Sequence, residues 1–171
     1  ADVIMNLATS YIFEGTLRDA IQPYTDAEQI YKLTNNLGGL SHAYGLKAYA
    51  YYYLADKELA YEIAQKGYDI AKEVQDVEGH IYGANMLAVW HLVYGDLEKG
   101  KAYHNEVLER VSRIYYPLVP TEFCEAIVAL REKRYEVCFE FIQNRLRAVK
   151  DANRPNIGLV ATMIYLVIQT E

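Results

Sequence analysis

Small side chains return every 40 residues along this chain. Ala8, Ala48 and Ala88 form one series, Gly15, Ala55 and Gly95 a second, and Ala20, Ala60 and Gly100 a third. A fourth runs through Ala27 and Gly67 to the larger Val107, and large rings keep the same step at Tyr11, Tyr51 and His91. A fixed period of this length marks a solenoid, in which each unit is one supersecondary element that buries its apolar face only against its neighbours.

Each unit reads as a pair of helices. Leu7, Ala8 and Tyr11 share one face of a first helix by their three- and four-residue spacing. Gly15 is suited to end that helix in the left-handed conformation and Thr16 to cap the next, with Ala55-Asp56 and Gly95-Asp96 in the same role. Glu58 and Glu98 then stand in the first turn, where the helix dipole favours a carboxylate. The small residues at 8, 20 and 27 predict a close-contact seam between paired helices. In a fourth, degraded unit Ala126 and Cys138 occupy small slots, Lys133-Arg134 replaces the Gly-Asp turn, and the step shortens to about 38. Pro155 is suited to start a terminal helix, NIGLVATMIYLVIQ. The pattern predicts an all-α, right-handed superhelix of antiparallel helix pairs with about nine helices. Its units run over 1–40, 41–80, 81–118 and 119–153, with a terminal helix over 154–171, and its helix-pair turns fall near 15, 55, 95 and 133.

Leu7, Ala8, Tyr11, Gly15, Ala20, Tyr24 and Ala27 resemble, slot by slot, the tetratricopeptide repeat family. That unit is usually about 34 residues long. The longer units here, with joints such as AKEVQDVEGHIYGANMLA (71–88), are similar to those in helical sensor domains of bacterial and archaeal regulators. The resemblance implies that the first helix of every unit lines a concave groove. Met5, Thr9 and Phe13 would line it in unit one, His42, Tyr49, Tyr52 and Tyr53 in unit two, Tyr82 and Asn85 in unit three, and Phe123 in unit four. The family's grip on an acidic peptide terminus uses Lys, Arg and Asn at such points; only Asn6 and Asn85 are available, so that activity is not implied. The expected groove is aromatic and apolar, and tyrosine buries a large area at low entropy cost while keeping a hydroxyl. Tyr24 and Tyr51 sit on core slots, as a tyrosine stripe at helical spacing usually does. The run YAYYYL (49–54) covers more than a turn, so Tyr49, Tyr51, Tyr52 and Tyr53 cannot all face one core.

Composition narrows the function classes. With 171 residues, 52% of them hydrophobic, the chain can bury a real core. It has only four prolines, no apolar run approaches the ~18 residues of a membrane span, and no signal peptide opens it. A net charge of −6 argues against nucleic acid as this domain's partner. Cys124 and Cys138 make neither a disulfide framework nor a metal set, which predicts a reducing, cytoplasmic setting. His91 and His104 occupy ring slots and are expected to pack as rings; His42 lies on the groove side and His80 at a unit joint, so no HxxxH pair arises. No phosphate loop or Ser-His-Asp arrangement is visible, and neither a cofactor, a metal nor catalysis is expected. From Arg131 to Arg154 there are seven basic residues against four acidic ones, a solvated face or a contact for an acidic partner or a phosphate backbone. The start at Ala1 and the stop at Glu171, after the apolar run IYLVI, are read as the ends of a piece of a longer protein. The expected function is a non-catalytic scaffold that binds a protein or peptide segment in its groove, within a regulatory protein. The alternative is the ligand-sensing domain of a larger transcriptional or signal-transduction NTPase regulator, answering a small-molecule or peptide effector.

Overall fold

The computed structural model describes residues 1–111 and 121–151, and every element in them is a helix. Unit one is α1 (Asp2–Glu14) and α2 (Leu17–Leu33), and unit two is α3 (Leu37–Tyr53) and α4 (Lys57–Val74). Unit three is α5 (Val77–Tyr94) and α6 (Leu97–Val111), and unit four is α7 (Thr121–Arg131) and α8 (Tyr135–Asp151). Each helix packs on its pair-mate, and each first helix packs on the first helix of the next unit. The terminal helix expected over 154–171 and the joint at 118 lie outside the described residues.

The helices stop and start on a period half as long as the repeat. Gly15, Asn35, Ala55 and Gln75 are left-handed, with φ of 80°, 53°, 63° and 58°. The following residue opens the next helix. Asn36, Asp56, Asp76 and Asp96 each accept a hydrogen bond from the backbone N–H three residues on, at 2.9, 3.2, 2.7 and 2.9 Å. Such caps satisfy amides that the helix itself leaves unpaired, each contributing about 1 kcal/mol. The helix-pair turns thus fall at 15, 55, 95 and 133, as the repeat predicts, with Lys133 left-handed at φ 61°.

Three local expectations need correction. Thr16 makes no side-chain cap; its hydroxyl instead donates back to the Tyr11 carbonyl at 3.4 Å. Gly95 has a φ of −122° and is not left-handed. First helices begin at Leu37 and Val77 rather than at 41 and 81, because Asn36 and Asp76 cap them.

The small residues form the seam. Ala8, Ala48, Ala88, Ala20, Ala60 and Ala27 are all fully buried, and Gly67 and Gly100 are buried with them. Gly83 shows how close the backbones come between units: a Cβ there would lie 3.0 Å from the Tyr68 backbone on α4. The consequence of this packing is that α5, flanked by α3, α4, α6 and α7, is buried without interruption from Gly79 to Val89.

Candidate functional site

The first helices do bring the expected site residues into one row, but most of that row is interior. Met5, Tyr49 and Tyr82 are only 4%, 5% and 6% exposed, and Asn85 is wholly buried. The open trough expected over Tyr49, Tyr52, Tyr82 and Asn85 is therefore corrected to a packed seam. The reason lies in α5. Between Glu78 and Asp96 the sequence has no Asp, Glu, Lys or Arg, so the helix has no polar stripe to turn towards water. That run was the sequence signal for burial on all sides, and spacing alone did not reveal it.

The buried row is held by hydrogen bonds that cross three units. The Tyr49 hydroxyl on α3 donates to Asn85 Oδ1 on α5. The Asn85 amide donates to Cys124 Sγ on α7 at 3.8 Å. The Tyr82 ring meets Tyr49 edge-on, and the His42 ring stacks on Tyr82 with centroids 5.0 Å apart. Burial holds the Tyr49 hydroxyl well above its usual pKa and pushes the Cys124 thiol up to about 12. Neither group ionises near neutrality, so the row is chemically a set of satisfied neutral dipoles.

The remaining expected residues lie at the margin of this seam. Thr9, His42, Tyr52, Tyr53 and Phe123 are half-buried, while Phe13 is 42% exposed. Thr9 is engaged twice, donating to the Met5 carbonyl at 2.9 Å and meeting the Tyr24 hydroxyl at 3.1 Å. His42 lies 3.6 Å from Glu78.

Charged and ring groups elsewhere tie helices together. Glu28 on α2 binds Lys47 on α3 at 3.0 Å and accepts from Tyr44 at 3.1 Å. Burial alone would raise the Glu28 pKa, but the hydrogen bonds from Lys32, Lys47 and Tyr44 outweigh it, and the carboxyl titrates below its usual range. Glu106 on α6 accepts from Tyr68 at 2.9 Å and sits 3.0 Å from His80 Nε2. His91 stacks on Tyr103, with centroids 5.7 Å apart, and His104 is 5% exposed, so both fill ring slots in the packing. In the basic stretch, Arg131 donates to the Leu92 carbonyl at 2.8 Å and Arg134 pairs with Glu132 at 2.7 Å, while Arg154 lies outside the described residues. Among the described residues, no three His, Cys, Asp or Glu side chains are grouped to hold a metal, and no helix is long and apolar enough to cross a membrane.

Two further surfaces are ones that the spacing did not single out. One is the outer face of α1. In repeat register, Val3 corresponds to Ala43 and Gly83, and Leu7 to Lys47 and Leu87. Those four later residues are buried in contacts with neighbouring units, whereas Val3 is 82% and Leu7 47% exposed. The other is a cleft of about 390 Å³ bordered by α6, α7 and α8, with Leu108, Val128, Val137 and Phe141 along it, His104 within it, and Lys101, Asn105, Glu125 and Arg134 around it. Compared with known proteins, the chain matches no family model, no curated protein and no solved structure.

Proposed function

We propose that this chain is a non-catalytic interaction module of the tetratricopeptide type, a cytoplasmic scaffold in a regulatory protein that docks a helix of a protein partner. The reading is supported by the uncovered repeat register on α1. Here Val3 and Leu7, one helical turn apart, stay exposed at positions that the repeat elsewhere buries. The docking surface of this reading is thus the outer face of α1 rather than the row between Tyr49 and Tyr82.

A peptide with the sequence of α4, residues 57–74, is a direct probe, because α4 covers the matching register of α5. Titrated into the domain, it is expected to shift amide resonances of α1. The double substitution Val3→Glu and Leu7→Glu is expected to abolish those shifts while helical content stays constant. Shifts that persist in the double variant, or that never appear on α1, would count against the module docking helices there. A second reading, a ligand-sensing domain of a larger regulator, is favoured by the cleft beside His104.

A further inference from the structure

The cleft between α6, α7 and α8 has a local cause in the repeat. Where units two and three meet, α4 lies hard against α5, with Tyr68 on Gly83 and with Leu87 fully buried. One step of 38 residues later, Glu125 stands in the place of Leu87. A carboxylate cannot be sealed into that seam as a leucine can, so α6 and α7 leave space between them.

His104 makes that space more than a packing gap. Two periods, 80 residues, earlier its slot holds Tyr24, whose hydroxyl meets Thr9 at 3.1 Å. The counterpart of Thr9 in unit three is Val89, which offers no hydrogen bond. His104 is 5% exposed, and neither ring nitrogen has a hydrogen-bond partner. A buried polar group left in this state is costly to the fold, and a bound polar group can recover that cost.

The surroundings specify the rest of the ligand. Lys101 stands three residues before His104, so the two share a face of α6. Arg134 reaches the same cleft from the start of α8; Lys101 and Arg134 both bind Glu132, Lys101 also binds Glu98 at 3.2 Å, and each cation keeps a donor for a further carboxylate. The lining sets these two cations and one carboxylate, Glu125, beside aliphatic and aromatic walls. A volume near 390 Å³ lies in the range of small-molecule sites. We propose that this cleft binds a small monocarboxylate with an apolar body, its hydrocarbon against Val128, Val137 and Phe141 and its carboxylate at Lys101, Arg134 and His104. The site is separate from the α1 face, and neither reading depends on the other.

Phenylacetate, phenethyl alcohol and phenethylamine share a ring and differ in the polar head. Each would be titrated into the protein and followed by calorimetry and by amide shifts of α6 to α8. Phenylacetate is expected to bind at least about tenfold more tightly than the alcohol or the amine. Arg134→Ala, at a half-exposed position, and Val128→Trp, which fills the cleft, are each expected to weaken phenylacetate by about tenfold or more. Circular dichroism checks that both variants remain folded, and Arg134→Ala alone decides the case if Val128→Trp does not. The proposal is overturned if phenylacetate fails to bind up to about 10 mM, if the alcohol or amine binds as well, or if Arg134→Ala leaves its affinity unchanged.

Discussion

The Tyr49 hydroxyl donates to the Asn85 side-chain carbonyl inside the protein, joining α3 to α5 at a point where both side chains are shut off from water. Removing one member leaves the other unpaired in the interior, and that is costlier than removing both. Tyr49→Phe is expected to destabilise by about 1–3 kcal/mol. Combining it with Asn85→Leu should recover part of that loss, because two apolar groups then meet. Denaturant midpoints of the two single variants and the double variant check this, and strict additivity would show that the pair is not coupled.

The seam sets a second expectation. Ala60 is fully buried, and a side chain on Gly83 would press on the Tyr68 backbone, which cannot swing aside as a flexible side chain can. Ala60→Leu and Gly83→Ala should each cost roughly 1–3 kcal/mol by overpacking. Ala102→Leu, at an exposed position on α6, is the control and should change stability little. Equal midpoints for all three variants would mean that the repeat's small residues do not mark helix contacts.

How much of this was legible in the sequence depends on which residues carried the signal. Ala8, Ala48 and Ala88 announced the helix pairs, and Gly15 and Ala55 announced turns, because small size and left-handed backbone are properties of single residues. Asn36 and Asp76 were equally readable as caps, and they carry the half-length period that moves the unit boundaries to 37 and 77. The site was harder to read. Tyr49 and Tyr52 share a helix face by spacing, yet which neighbour covers that face depends on how α3, α5 and α7 stack. The resemblance implies a groove position for Tyr82 and Asn85, and only the uncharged stretch between Glu78 and Asp96 argues for the interior. The α6–α8 cleft arises from Glu125 and Val89 replacing Leu87 and Thr9 in register, a comparison that needs the unit boundaries first.

Glu28 and Lys47 offer a third test. Lys47 is 8% exposed and carries its charge into the α2–α3 contact, where Glu28 neutralises it at 3.0 Å. Glu28→Ala strands that charge and should cost about 3 kcal/mol. The repeat itself suggests the compensating change, since Leu87 fills the register of Lys47 in unit three and is fully buried. Glu28→Leu with Lys47→Leu should therefore lie much closer to the parent than Glu28→Ala does. The folded-state pKa of Glu28 is depressed, so its contribution is present above the unfolded carboxylate pKa and fades as pH falls through the folded value. A double variant as unstable as Glu28→Ala would show that the ion pair is not interchangeable with an apolar contact here.

Acid should also weaken the fold through its histidines, in a different pH range. All four, His42, His80, His91 and His104, have pKa values held below the usual range, chiefly because burial disfavours the charged ring. The sign follows from which state takes up protons first. Above the unfolded histidine pKa, about 6.5, the rings are neutral in both states and stability is at its full value. Below it the unfolded chain binds protons that the folded chain resists, so stability falls as pH drops towards the depressed folded values. His104 is the cleanest reporter: burial is the sole cause of its shift, and no hydrogen bond opposes it. His104→Phe keeps a ring in the slot and removes one such proton. Between about pH 7 and pH 5 it should remove up to about 1.4 kcal/mol of acid sensitivity per pH unit from the unfolding free energy. Urea unfolding of parent and variant across that range measures the difference directly, and parallel curves would show that His104 takes up its proton as readily in the folded protein as in the unfolded chain.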